Sequence, residues 1–544
     1  MRSLFSFLTI KVGSSCDGIS QGAESLHGER GEGQAFDFDA NGIGGEVRSS
    51  ERTLSRRGFA KAALLAGIGM AGTAALGGCS SGSESGSASG KAEQSAAIDF
   101  AKLEAGSLRV GAGHAAIKLD EYCPIDEGNT QAGQAKGTPD FVHSEGYYTN
   151  VHEGHDLRFS IVLLEFNDEK YAISSIEHVN PVNIDDDKKL IESLTGVSAD
   201  KQWYHNPHVL SAPHDINQDA INSAIEEACK AALAGMKDAK FGFGEGVTYA
   251  NTNRCYETAD GWNQVSNDNG NTDHVLPVLR FEGTDGKPIA ILYTVNMASG
   301  TLENQMNSEI DPTGRQITCD IAGLSERFVE EYYGGDTVAI YFAGCTGDQW
   351  GSVRAEYNYV MGSKGGLEYK KGFFDNEAAW LMLDVASSRL GVSVVDTANA
   401  ISCGDVHVVS YSNEKFEYKQ LDKDKLKSGP DPKVFQYVQS ESKPTCTTDV
   451  SVFAIDDVAI TGVKPEMNIQ SLKDIRADSP YAHNIMQNWV SFDGDSVQGY
   501  LPDQEGFDQS GKQVSKTNFM PGSAEEMVGH AIDMLEESYS SIKK

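Results

Sequence analysis

Apolar and polar positions along residues 105–544 switch repeatedly between the period of a strand and the period of a helix. The helix predicted at 217–239, for example, places Ile221, Ile225 and Cys229 on one face. Interleaved strands and helices predict an α/β or mixed α+β fold, built as layered sheets and helices with substantial parallel pairing. The predicted strands are 108–119, 158–166, 170–179, 240–250, 288–297, 337–343, 406–412 and 449–463, and the predicted helices are 186–194, 217–239, 316–333, 376–391 and 523–540.

One apolar run, residues 208–212, is followed directly by Pro213, His214 and Asp215. This order predicts a buried strand with His214 and Asp215 at its carboxyl end, where layered folds collect ligands and metals. The simpler interpretation is a His–Asp pair that caps a turn, and these residues taken alone favour it. The rest of the chain has to decide between the two.

Three other predicted strands also end in polar groups. Ser299 follows the strand 288–297, residues 344–348 follow the strand 337–343, and Glu466 follows the strand 449–463. Tyr500 comes later, after a glycine. A His, a carboxylate and a Tyr from such distant segments could converge on zinc, which accepts nitrogen and oxygen ligands. Glu466 could equally serve as an acid at a helix N-terminus, and Tyr500 as a core residue.

The N-terminal part of the chain carries an export signature. Arg56 and Arg57 precede an apolar run rich in Gly and Ala, residues 62–78, which is typical of a twin-arginine signal. The run ends at Leu76–Gly–Gly–Cys79, which matches a bacterial lipobox, so cleavage before Cys79 and lipidation of its thiol are expected. The run is too short and too rich in small residues for a transmembrane helix.

Four segments follow from these signals. Residues 1–54 are a long, disordered leading region or the result of a start codon assigned too far upstream, and 55–79 form the signal. Residues 80–104 are a Ser/Gly tether, and 105–544 form one domain. The protein is therefore expected to use the twin-arginine translocase and to be lipid-anchored at the outer face of a bacterial cell membrane.

Charge and cysteine content exclude some functions. The formal net charge of -34 would repel nucleic-acid phosphates, so no nucleic-acid partner is expected. Seven cysteines lie beyond Cys79, none in a CxxC spacing, and the odd number leaves at least one thiol free. A cysteine nucleophile stays open, but no pattern singles one out.

The ordered set of motifs resembles the neutral/alkaline, non-lysosomal ceramidases. The resemblance spans about residues 108–535, and its motifs stand in the family's order. They are Val110–Gly–Ala–Gly–His–Ala–Ala–Ile117, Leu210–Ser–Ala–Pro–His–Asp215, Asn251–Thr–Asn–Arg254, Ser308–Glu–Ile–Asp–Pro–Thr–Gly314, Gly344–Cys–Thr–Gly–Asp348, Asp457–Val–Ala–Ile–Thr–Gly–Val–Lys–Pro–Glu466 and Gly499–Tyr500.

The resemblance implies a ceramidase-like domain that hydrolyses an amide with the help of zinc. It places His214, Glu466 and Tyr500 at metal-ligand positions, and His214 and Arg254 in the catalytic machinery. The chain ends after its last predicted helix, so the immunoglobulin-like C-terminal domain of full-length ceramidases is not expected. A small-molecule or lipid-like substrate, such as an N-acyl lipid, is implied.

The sequence departs from the family pattern at three places. Ile216 stands where the family has a catalytic His, Ser299 stands where it has a further zinc-binding His, and residues 511–513 replace a Gly-Tyr-Glu element. Asp215, Ser299 or Glu303 could substitute for the lost ligand. Two hypotheses remain open: a hydrolase with an altered site, or a non-catalytic relative that binds a lipid or glycan.

Overall fold

Strands and helices interleave along the part of the chain that the computed structural model describes. The described residues are 97–119, 123–124, 147–181, 183–213, 216–258, 261–302, 315–361, 367–373, 376–426, 437–491, 499–509 and 512–542. All belong to one compact unit, Glu93–Lys544. Predictions about the signal, Cys79, the leading segment and most of the tether therefore lie outside the described residues.

The described strands and helices are numbered in chain order. The strands are β1 (Leu108–Ala116), β2 (Cys123–Pro124), β3 (Tyr147–Val151), β4 (Arg158–Phe166), β5 (Glu169–Ile176), β6 (Gln202–His205), β7 (Lys237–Val247), β8 (Asn251–Thr258), β9 (Gly261–Asn267), β10 (Val275–Gly283), β11 (Pro288–Val295), β12 (Arg315–Ile317), β13 (Val338–Ala343), β14 (Gln349–Gly351), β15 (Glu356–Met361), β16 (Leu367–Phe373), β17 (Val409–Lys419), β18 (Thr445–Ile455), β19 (Val458–Val463), β20 (Glu466–Met467), β21 (His483–Gln487), β22 (Val490–Ser491) and β23 (Tyr500–Leu501). The α-helices are α1 (Ile184–Thr195), α2 (Gln218–Ala234), α3 (Asp320–Tyr333), α4 (Asn376–Ala400), α5 (Lys423–Leu426), α6 (Ile469–Asp478), α7 (Gln504–Gln509), α8 (Lys512–Lys516) and α9 (Ser523–Ile542).

Two sheets form the centre of the molecule. The larger has the strand order β13-β11-β10-β7-β1-β4-β5-β6-β22, and the smaller has the order β17-β18-β19-β21. In the larger sheet only β11 with β13 and β5 with β6 are parallel neighbours. The mixed α+β prediction is confirmed, but this sheet contains less parallel pairing than the interleaved pattern predicts.

Side chains on the strands alternate between two cores, which arranges the elements in four layers. On β4, Val162 and Leu164 point into a core shared with the smaller sheet, whereas Ile161 and Leu163 point into a core shared with α1 and α2. Helices α3 and α4 cover the other end of the same face. The outer face of the smaller sheet is covered by α6 and α9. The order of layers is helices, large sheet, small sheet, helices.

The glycine-rich start of the domain has a packing explanation. A Cβ on Gly111 or Gly113 of β1 would lie 2.1 or 2.3 Å from a backbone oxygen of α2. Only glycine at these positions lets the helix approach the strand this closely.

The outer edge of the larger sheet is closed by side chains of α3. On edge strand β13 the backbone N–H of Tyr341 donates to Glu326 Oε1 at 2.7 Å, and that of Ala339 donates to Glu330 Oε1 at 3.2 Å. Both acceptors are buried.

Helix α4 is long and apolar enough to cross a membrane by length and composition. One face of this helix packs against α3 and the larger sheet, with Leu383, Leu390 and Val394 buried there. A helix buried in the core of a protein can have the same length and apolar composition without crossing a membrane.

The strand predicted at 208–212 is wrong. These residues are a turn and loop, and the strand that precedes them is β6. Prolines 207 and 213 flank the run, and His208 has a φ of +50°, so an extended, hydrogen-bonded strand cannot continue there. Val209 and Ala212 are nevertheless buried, which explains the apolar pattern.

Other boundaries shift in ways that turn chemistry explains. The helix predicted at 217–239 ends at Ala234 because Gly235 follows and β7 begins at Lys237. The helix predicted at 316–333 begins only at Asp320, after β12. The single strand predicted at 449–463 is two strands, because the chain reverses at residues 456–457 between β18 and β19. No element was predicted for 251–283, where the structure has β8, β9 and β10.

Candidate functional site

The loop 344–348, which leaves the carboxyl end of β13, is the scaffold of the candidate site. Its backbone is held from three directions: Cys345 N–H donates to Asn296 Oδ1, Thr346 N–H donates to Asn488 Oδ1, and Gly347 N–H donates to the carbonyl of Met467. The polar ends of β11, β13, β19 and β21 therefore meet at this loop. A Cβ on Gly347 would lie 2.6 Å from Asn468 Oδ1, so this close meeting requires glycine.

Glu466 and Tyr500 are neighbours in one short parallel pairing. They are register partners on β20 and β23, and Glu466 N–H donates to the carbonyl of Gly499 at 2.9 Å. Gly499 has a φ of +123°, a conformation that glycine adopts without strain. Two residues that are 34 positions apart in sequence are thus fixed side by side.

Arg254 joins this pair from strand β8. Its backbone N–H donates to the carbonyl of Asp348, and its Nη2 donates to the carbonyls of Thr346 at 3.0 Å and Gly347 at 2.8 Å. The same Nη2 lies 3.8 Å from Glu466 Oε2, and Cζ lies 5.1 Å from the centroid of the Tyr500 ring. The structure therefore brings together Arg254, Glu466 and Tyr500, which we call the Arg254 centre.

The charge of Arg254 is stabilised by its neighbours. Burial alone would lower the pKa of Arg254, but Tyr500 and Glu466 raise it above its ordinary value. The centre thus holds a permanent cation beside a buried carboxylate and a phenol. Such a cation can stabilise negative charge that develops on an oxygen during acyl transfer.

Asp348 lies beside this centre and was not predicted as a site residue. It is buried, and burial raises the pKa of its carboxyl to about 7. Its Oδ1 accepts from the N–H of Ile469 and its Oδ2 from Asn253 Nδ2. The glycine-rich sequence of residues 344–348 indicated a loop. The burial that raises the pKa of Asp348, however, comes from tertiary packing.

Gln513 replaces part of the family's Gly-Tyr-Glu element and still touches the scaffold loop. Its Nε2 donates to the Gly347 carbonyl at 3.1 Å and lies 3.2 Å from Cys255 Sγ. The departure at 511–513 therefore keeps a polar contact to the loop, while Gly511 itself lies outside the described residues.

Ser299, predicted as a possible substitute ligand, lies in the core beside the start of α3. Its side chain is completely buried, and its Oγ accepts from the N–H of Ala322 in the first turn of α3. Its backbone also pairs with the loop before His214. The Ser299 N–H donates to the carbonyl of Pro207, and the Leu210 N–H donates to the carbonyl of Ser299. Ser299 thus lies where the pattern places it, but its hydroxyl stabilises a helix end.

Ile216 belongs to the core under α1 and α2. It is 8% exposed and packs within the apolar cluster of that layer. An aliphatic side chain here transfers no proton, so the position has no acid–base role.

The predicted residues His214, Asp215 and Glu303 lie outside the described residues. Within the described part of the chain, no three His, Cys, Asp or Glu side chains come close enough to hold a metal ion. The described candidate ligands at the Arg254 centre are two side chains, Glu466 and Tyr500, whereas a catalytic zinc takes three protein ligands. These two side chains alone therefore do not complete a zinc site.

Five of the described thiols have a raised pKa, which makes them poor nucleophiles. Burial raises the pKa of Cys255 to about 11 and that of Cys229 and Cys403 to about 12. It also raises the pKa of Cys319 and Cys345. A nucleophilic cysteine needs the opposite shift, so none of these five is suited to that role.

Solved structures share the overall fold of this chain. One is the neutral ceramidase from Pseudomonas aeruginosa, with a TM-score of 0.56 and 12% identity over 80% of this chain and 75% of that chain. Another is a ceramidase complexed with C2, with a TM-score of 0.56 and 12% identity over 79% and 75%. No family model matches the sequence, and no curated protein matches it. The ceramidase-like fold is confirmed, and the roles of single residues remain predictions.

Proposed function

We propose that the protein is an exported lipoprotein that hydrolyses an amide, of the N-acyl lipid kind, or a related carbonyl compound. The observation that supports this most is the Arg254 centre. The resemblance assigned its three residues one by one, across more than two hundred positions, and they lie in contact on a ceramidase-like fold.

In this proposal Arg254 binds and stabilises the oxyanion of the tetrahedral intermediate. Its guanidinium is oriented in advance by the carbonyls of Thr346 and Gly347, so little reorganisation accompanies the reaction. Zinc, held by His214 together with Glu466 and Tyr500, would supply Lewis acidity and an activated water.

Hydrolysis is tested with fluorogenic N-acyl substrates and the full chain carrying Cys79→Ser. Arg254→Gln should lower kcat/KM by about 10²–10³-fold because it removes the oxyanion partner. Arg254→Lys, which keeps the charge, should lose less. Equal rates in all three proteins, or no turnover of any acyl amide or ester, would refute the hydrolase.

Zinc is tested by metal analysis of the same full chain. We expect close to one zinc per chain, lost in His214→Ala and kept in His483→Ala, a matched change at a half-buried histidine that faces Glu245. Equal zinc in both variants would remove His214 from the ligand set.

The anchor is tested by fractionation of cells that express the full chain. Cys79→Ser should move the protein from the membrane to the soluble fraction, whereas Cys16→Ser should not. A membrane-bound Cys79→Ser protein would overturn the lipidation and with it the proposed location.

A second candidate function, a non-catalytic binding lipoprotein, is favoured by the Ser299 and Ile216 positions. Both residues are integrated in the packed core and neither provides a ligand or a proton. This alternative predicts no zinc and no effect of chelators on ligand binding.

A further inference from the structure

Helix α4 exposes a line of apolar side chains on the face that points away from the core. Leu381, Val385 and Val392 are 62%, 48% and 47% exposed, whereas Leu383 and Leu390 are buried on the opposite face. Single exposed apolar residues are normal on a protein surface, but several in one line are characteristic of an interaction site. The packing of α4 in the core does not account for this face.

The spacing of these side chains is that of a coiled-coil seam. Leu381, Val385, Ser388 and Val392, which we call the α4 stripe, follow each other at intervals of four, three and four residues. In heptad notation Leu381 and Ser388 are d positions, and Val385 and Val392 are a positions. Valine at a with leucine at d favours a parallel pair of helices. Ser388 is exposed and small, so it allows a second helix to approach closely.

Two opposite charges flank the α4 stripe in the same register. Asp384 is a g position on one side of the stripe, Arg389 is the next e position on the other side, and both are exposed. In a parallel pair, the g residue of one helix faces the next e residue of the other helix. Asp384 of each copy would therefore face Arg389 of the other copy, and within the described chain neither residue forms an ion pair.

Further exposed apolar side chains adjoin α4. Among the described residues nine large apolar side chains are exposed, and six of them lie on or beside this helix. Val247 and Tyr249 line a cleft together with Arg389, and the Tyr332 hydroxyl accepts from Asn399 at the end of α4. One helix face is small for a stable interface, and these neighbours extend its apolar surface.

We propose that the exposed face of α4 binds the same face of a second copy of this chain, with the two helices parallel about a twofold axis. The pattern is complementary to itself, because the twofold axis pairs the stripe with the stripe and forms the contact between Asp384 and Arg389 twice. A lipid surface suits this face less well, because the exposed acids Glu377, Asp384 and Asp396 border the stripe. The proposal does not depend on the proposed hydrolysis.

The test is sedimentation equilibrium of the full chain carrying Cys79→Ser. Salt at about 0.15 M screens the repulsion between two chains that each carry a net charge of -34. We expect a monomer–dimer equilibrium with a Kd on the order of 10 μM, which corresponds to a small interface. A chain that is still monomeric at about 100 μM would overturn the proposal.

A charge placed in the stripe locates the contact. Val385→Glu should weaken the dimer by about a hundredfold or more, because a charge in the seam would be buried between two helices. Leu194→Glu is the matched control at an exposed leucine, 37% exposed in α1, and should leave the Kd unchanged. A thermal melt checks that both variants fold. Equal Kd values in the two variants would place the contact elsewhere and refute the site.

Charge reversals determine the orientation of the helices. Asp384→Arg and Arg389→Asp should each weaken the dimer by about tenfold, because each change sets like charges against one another twice. The double variant should regain the original affinity, since it restores opposite charges in the parallel register. A double variant that binds no more tightly than the single variants would show that this register is wrong.

Flotation with phosphatidylcholine vesicles examines the competing occupant. We expect Cys79→Ser chains with and without Val385→Glu to bind the vesicles equally. Vesicle binding that Val385→Glu abolishes, in a chain that stays monomeric in solution, would assign the stripe to a lipid surface and contradict the proposed dimer.

Discussion

On one side of the candidate site Arg254, Glu466 and Tyr500 keep charged and polar groups in contact, whereas on the other side Ser299 and Ile216 belong to the packed core. Ser299 follows the carboxyl end of β11, and Glu466 begins the short strand β20 after β19. The difference shows that a polar residue after a strand does not by itself offer a group for chemistry, because a buried hydroxyl can instead stabilise a neighbouring helix.

Removing Arg254 should produce the largest effect. Arg254→Leu leaves the Glu466 carboxylate buried without its cation and should cost about 3–5 kcal/mol of unfolding free energy, measured by urea denaturation. Arg254→Lys is the control and should cost less. A loss below about 1 kcal/mol would mean that the polar side is not held together by this charge.

Truncating Ile216 should come next. Ile216→Ala opens a cavity in the layer under α1 and α2 and should cost about 2–4 kcal/mol, with Ile216→Val closer to 1 kcal/mol. Both are measured by the same denaturation. A near-neutral Ile216→Ala would show that this residue faces solvent or a ligand instead of the core.

The raised pKa of Asp348 predicts a pH dependence with a definite sign. The folded pKa of about 7 exceeds that of the unfolded chain, so the folded state holds a proton that the unfolded state releases. Stability should fall as pH rises from about 4 to 7, by at most about 1.4 kcal/mol per pH unit, and this loss stays constant above pH 7. Subtracting the curve of Asp348→Asn from that of the unaltered chain isolates the contribution. Parallel curves would contradict the shift.

Removing the Ser299 hydroxyl should have the smallest effect. Ser299→Ala deprives Ala322 N–H of its acceptor and should cost about 1–2 kcal/mol, as the loss of a helix cap does. Ser193→Ala is matched to it: an exposed serine in α1 that donates to its own helix. If the two variants have equal stabilities, the Ser299 hydroxyl does not stabilise the N-terminal end of α3.

Sequence periodicity predicted the layers of the fold well because alternate residues on β4 face two different cores. It missed β8 and β9, where Asn, Thr, Gln and Ser interrupt the apolar pattern, and it missed β10, whose apolar run contains Pro277. It also mistook a buried loop between two prolines for a strand. Burial produces an apolar run whether or not the backbone is extended.

The Arg254 centre could be predicted only through the ordered resemblance. No local spacing relates Arg254 to Glu466, since strand pairing and the scaffold loop bring them together. The raised pKa of Asp348 could not be predicted, because it arises from the groups that surround the carboxyl after packing.

The two glutamate side chains that cover β13 have a consequence for how this protein behaves beside its own copies. An open sheet edge is a template for strand addition from another chain, including a second copy of the same protein. Here Glu326 and Glu330 already occupy two N–H groups of that edge. A strand from a second molecule would first have to displace these two glutamate side chains from the edge. The edge is therefore protected against strand addition although no further strand covers it.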